Sequence, residues 1–120
     1  MVRRFLCFIV IGIFMSSTSQ SQSVKIVGLG ASSCGKYISD IDKEYEINKQ
    51  YLAWAQGFMN GALVRAPAGV DDGLDLLPES FPVRNQLEFL REWCANNLQS
   101  DFSDASFNLF KDIRSRQGRK

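Results

Sequence analysis

The sequence contains no histidine. That absence excludes Cys–His and Ser–His nucleophilic catalysis and most zinc sites. It also places any acid-driven switch in the carboxylate range, near pH ~4 rather than pH ~6. Basic and acidic residues are almost balanced, 14 against 13, which is not the strong basic excess of a nucleic-acid binder. No apolar run is long enough to cross a bilayer comfortably: the longest, residues 5–15, falls well short of the ~20 residues a membrane helix needs. Cysteine is scarce, with only Cys7, Cys34 and Cys94. Of the three prolines, two fall with Gly69 and Gly73 in the single segment 66–80.

The N-terminal run has a clear character. Arg3 and Arg4 precede the apolar residues 5–15, and a small, Ser-rich segment follows. That is the order of a secretory signal peptide, with Ser17-x-Ser19 or Ser21-x-Ser23 meeting the small-x-small rule for cleavage. Residues 1–23 are therefore expected to be a signal peptide and 24–120 a single domain, exported and, in a bacterium, periplasmic. No stable membrane insertion is expected after cleavage. Without Arg3 and Arg4 the 14 basic residues become 12 against 13 acidic ones, a net charge of −1.

Removal of Cys7 leaves an even pair, Cys34 and Cys94. Two cysteines without histidine make a poor metal site, and no cofactor is expected. In an exported chain such a pair reads most simply as a disulfide; free thiols or pairing between chains are the alternatives. Cys94 sits in an apolar stripe, a poor setting for a nucleophilic thiol, which needs partial exposure and a positive neighbour.

The periodicity predicts an all-α bundle of about four helices. The first is short, over residues 35–41, with Ser32 and Ser33 as capping candidates. Upstream, Gly28 and Gly30 have the look of a nucleotide-binding loop, but the third glycine and the flanking strand–helix unit are missing. The second helix, over 44–65, places Ile47, Tyr51, Trp54, Ala55, Phe58, Met59 and Ala62 on one broad side. So wide an apolar face belongs to a helix with neighbours on more than one side, the central member of the bundle. Gly57 and Gly61 stand at its edge, and each costs about 1 kcal/mol relative to alanine. Close approach of another backbone would offset that, and a homodimer contact would use the same feature.

Residues 66–80 form a long loop carrying Asp71, Asp72, Asp75 and Glu79. Long loops are often functional, and this one is the candidate partner-binding loop, its charge suited to a basic surface. The plainer reading is a surface excursion anchored by Leu74, Leu76 and Leu77. Nothing fixes the spacing of the three aspartates well enough for general acid–base work, so no enzymatic activity is expected. A third helix over 81–97, capped by Ser80 and with Pro82 in its first turn, lines up Val83, Leu87, Leu90, Cys94 and Leu98. A fourth over 103–116 lines up Phe102, Ala105, Leu109, Phe110 and Ile113, with Gly118 as a stop. The basic C-terminus, Lys111 to Lys120, reads as a solvated tail.

Four motifs recur together: S-C-G-K-Y from Ser33, Y-x-x-W-x-x-G-F-x-x-G from Tyr51, W-C at Trp93 and F-x-x-A from Phe102. In this combination the chain resembles a group of small exported bacterial helical proteins: the Rap/Tai immunity proteins of type VI secretion and, more distantly, the HdeA-like periplasmic acid-stress chaperones. The resemblance covers most of the mature chain. It implies a helical, often dimeric domain with one disulfide, Cys34–Cys94, that works by binding proteins; Trp54, Gly57 and Gly61 would be structural. Members often carry a proline shortly after the second cysteine, where this chain reads Ala-Asn-Asn-Leu. The partner would be an effector neutralised by an immunity-type protein or, alternatively, the client of an acid-stress chaperone.

Overall fold

The computed structural model describes residues 23–120. Apart from Ser23, the expected signal segment, Cys7 included, lies outside the described residues. Four helices follow one another: α1 Cys34–Lys43, α2 Asn48–Arg65, α3 Val83–Ala95 and α4 Phe102–Arg116. Two 3-10 turns, Gly28–Ala31 and Tyr45–Ile47, precede α1 and α2. Among the described residues there is no strand; Val24 to Val27 form a leader without regular structure, extended at Val27.

Ser33 caps α1, its hydroxyl accepting from the Lys36 amide at 3.1 Å. The next orphan amides of that helix end find carbonyls across the chain: Cys34 N–H donates to Ser100 O at 2.7 Å and Gly35 N–H to Leu98 O at 3.1 Å. Phe102 N–H returns a bond to Ser32 O at 2.8 Å. The starts of α1 and α4 are thereby stitched together by backbone alone, satisfying donors that a buried helix terminus cannot leave open. Beside this seam runs the Cys34–Cys94 disulfide, with 4.8 Å between Cα atoms, tying α1 to α3. Both cysteines are completely buried.

The central helix is α4, not α2. It packs against α1, α2, α3 and the first 3-10 turn, and buries Phe102, Ala105, Ser106, Leu109, Phe110 and Ile113. Phe102, its first residue, meets Tyr37 and Tyr51 with ring centroids 4.7 and 4.9 Å away, and the two tyrosines are 4.8 Å apart. Each tyrosine hydroxyl has a partner: Tyr37 donates to Asn48 Oδ1 at 2.9 Å and Tyr51 to Asp40 Oδ2 at 2.7 Å. A buried phenol needs such a partner, which explains the buried Asn48. Gly118 closes α4 as expected. Its φ of 75° is the left-handed turn that glycine adopts freely, and the Arg119 amide reaches back to Arg114 O at 2.8 Å.

Three other expectations are corrected. The buried side of α2 is turned towards Leu52 and Met59, while Trp54, Phe58 and Ala62 are only half-buried. Ser80 does not cap α3: the chain turns at Pro78–Phe81, and Pro82 is the cap residue, its carbonyl accepting from the Asn85 and Gln86 amides. Leu98 lies beyond α3 and is exposed, and the stripe gains the buried Gln86.

Candidate functional site

The acidic loop is held by the C-terminal end of α4, and the basic tail is what holds it. Asp71, only 7% exposed, pairs with Arg114 at 2.8 Å. The side chain of Gln117 grips the Asp75 backbone twice, accepting from its N–H at 3.0 Å and donating to its carbonyl at 2.6 Å. Arg119 donates to Asp72 O at 2.6 Å, and the Arg116 guanidinium lies 3.9 Å from the centroid of Phe81. From the other side, the Gln86 amide donates to Leu76 O and Phe81 O at 2.9 and 3.1 Å. Leu74 and Phe81 are buried beneath this clasp, whereas Leu77 is exposed.

These contacts correct the expectation of a free acidic capture loop. Asp71 is spent on Arg114, and the Asp75 carboxylate accepts from the Leu77 amide at 2.8 Å. Of the four loop acids only Asp71 is in an ion pair, and Asp72 and Glu79 are exposed with no side-chain partner among the described residues. The tail is docked rather than solvated. Loop residues and tail residues are more than forty positions apart, so no local signal in the sequence could pair them.

The indole of Trp54 is seated on the glycine pair of the leader. A side chain at Gly30 would run into the indole ring, and Gly28 (φ 75°) lies against its pyrrole edge. The indole N–H donates to Val27 O at 3.2 Å. This accounts for the Gly28-x-Gly30 spacing without a nucleotide.

Gly57 and Gly61 behave differently. Outside their own helix turn, nothing among the described residues comes within 4 Å of where a Cβ would stand on either, so the close backbone approach expected there is not made by those residues. Both lie on the outer face of α2 with Gln50, Ala53, Asn60 and the highly exposed Val64. No charged residue occurs between Lys49 and Arg65. The outer sides of the other helices carry Lys36 and Asp42, Arg84 and Arg91, or Asp104 and Lys111. At one edge of the uncharged face, Trp54 and Phe58 stack with centroids 5.6 Å apart. Between them and the leader lies an open groove of about 400 Å3, floored by Ala53, Gly57 and Ile26 and flanked by Lys25 and Val27.

A second concavity, of about 340 Å3, lies between Tyr45 and α3 over Val83 and Leu87. The arginines on its rim are already paired, Arg91 with Asp42 at 2.8 Å and Arg84 with Glu88 at 3.7 Å. Among the described residues there is no group of side chains able to hold a metal ion, and no helix is long and apolar enough to cross a membrane.

Compared with known protein families, with curated proteins and with solved structures, the chain matches none.

Proposed function

We propose that this chain is an exported, non-enzymatic domain that binds another protein, as an immunity-type protein binds an effector. The observation that carries the reading is the outer face of α2. It combines exposed apolar area, two half-buried aromatic rings and an absence of charge, which is the composition that distinguishes the centre of an interface from ordinary surface. Its two glycines each weaken the helix by about 1 kcal/mol, and no packing among the described residues offsets that. Export rests on the N-terminal signature, and a fully buried disulfide accords with an oxidising compartment. The four-motif resemblance supplies the immunity-type role. The clasped loop is a secondary contact at most, through Asp72 and Glu79.

The test is co-purification from periplasmic extract of the protein and of a Gly57→Lys variant. A lysine there places a charge in the middle of the face without touching the core. The expected result is a protein partner that accompanies the parent chain at stoichiometric level and is lost from the variant. Retention of the same partner by the variant would remove the α2 face from the account.

A further inference from the structure

Resting on the reading of the chain as a binding domain, we infer that the outer face of α2 receives an acidic amphipathic segment of another protein. A large apolar side chain of that segment enters the groove beside Trp54 and Phe58, and its carboxylates meet Lys25 and Arg65. The groove supplies the first element. It is open, apolar, and bounded by a stacked aromatic pair, of which Trp54 meets Phe102 at 6.2 Å and donates to the leader carbonyl of Val27. Preformed aromatic pockets of this kind accept an anchor residue with little ordering cost. A helix or strand can lie across Gly57 and Gly61 because no side chain among the described residues stands between it and the α2 backbone.

Charge selects the occupant. The charges bordering the uncharged face are Lys25 in the groove wall, Lys49 near one end of α2 and Arg65 at the other. Lys49 is taken by Glu46 at 2.6 Å. Lys25 and Arg65 have no ion-pair partner among the described residues, so the frame of the face is positive and unanswered. A second copy of this chain is the poorer occupant. In a parallel pair of α2 helices each Arg65 would meet its copy, and like charges across an interface are costly; in an antiparallel pair it would meet Glu46, which Lys49 already holds at 2.6 Å. A membrane surface is also poorer, since two cations supply only about 1 kcal/mol each towards anionic headgroups. An acidic segment answers both cations at once.

The experiment uses the protein with its disulfide intact and three labelled helical peptides of about 14 residues, roughly the span of the face. The first has leucine and phenylalanine anchors with glutamates at both ends; the second has the same anchors with lysines at the ends; the third keeps the glutamates and replaces the anchors by serine. Fluorescence anisotropy is expected to show the first binding about tenfold tighter than the second and the third not binding. In a Lys25→Glu/Arg65→Glu variant, which disturbs no ion pair among the described residues, the preference should reverse. Equal binding of the two anchored peptides, or binding of neither, would overturn the inference. So would a dimer in size exclusion that Gly57→Lys abolishes, or preferential binding to phosphatidylglycerol–phosphatidylcholine vesicles. A photo-crosslinker at residue 72 that captures a protein when the peptides fail would leave the binding role in place while discarding this surface.

Discussion

Trp54 fills the space that a side chain at Gly30 would need, so closely that a Cβ there would fall inside 3.0 Å of the indole ring. Gly30→Ala is therefore expected to destabilise the fold by about 1–3 kcal/mol, the usual cost of overpacking. Gly61→Ala should do the opposite and stabilise by up to about 1 kcal/mol, because its Cβ meets open space in a helix interior. Urea denaturation of the two variants reads the contrast directly. A destabilising Gly61→Ala would mean that something in the chain does pack on the outer face.

The disulfide closes a loop of 60 residues between α1 and α3. The chain-entropy model gives such a loop about 4 kcal/mol, a large share of the stability of a small domain. The oxidised protein should show no reactive thiol from Cys34 or Cys94 under denaturing, non-reducing conditions. Reduction, or the Cys34→Ser/Cys94→Ser pair, should lower the thermal midpoint sharply. A midpoint unchanged by reductant would show that the helices need no staple.

Arg114→Ala removes the partner of Asp71, which is almost fully enclosed. Loss of a hydrogen bond to an enclosed charged group is expected to cost about 1.5–3 kcal/mol. The loss should be felt first in the loop: limited proteolysis near Gly73 should accelerate well before the helices melt. Unaltered cleavage would indicate that Gln86 and Gln117 hold the loop on their own.

Asp40 accepts from Lys36 at 2.6 Å and from the Tyr51 hydroxyl at 2.7 Å. The Lys36 hydrogen bond first, and the Tyr51 bond second, hold its carboxyl below the ordinary value of 3.8. The unfolded chain therefore takes up this proton at a higher pH than the folded one. The resulting contribution to stability is complete above the ordinary value and is lost as the pH falls through the lower, folded one. Asp40→Ala should be less stable than the parent at neutral pH, with the difference shrinking in acid; a constant difference down to pH ~2 would contradict the linkage. Near-UV circular dichroism of the parent should persist to pH ~3 without protection of an aggregating client. Opening together with client protection would favour the acid-chaperone role.

Much of the fold was legible because its signals are local. Ser33 announced the start of α1, Gly118 the end of α4, and the Leu90–Cys94 and Leu109–Ile113 spacings their buried sides. The central position of α4 was not legible, since a helix buried on several sides with serines among its core residues looks less apolar than it is. Nor was the clasp: Asp71 with Arg114 and Gln117 with Asp75 are pairs made by tertiary proximity alone. The expected α2 face holds in its Tyr51, Ala55 and Met59 and is only half covered at Trp54, Phe58 and Ala62. Beside it Ala53, Gly57 and Val64 are left uncovered among the described residues, and that exposed strip is the strongest pointer to a partner.

The central claim is that the uncovered α2 face is where another protein binds. The most direct measurement is site-specific photo-crosslinking in intact cells, with the crosslinker placed at residue 57 in one strain and at the solvent-exposed position 72 in another. The account predicts a discrete protein adduct from position 57, absent or much weaker from position 72 and competed away by the glutamate-ended peptide. Adducts only from position 72, or only with a second copy of the chain, would contradict it.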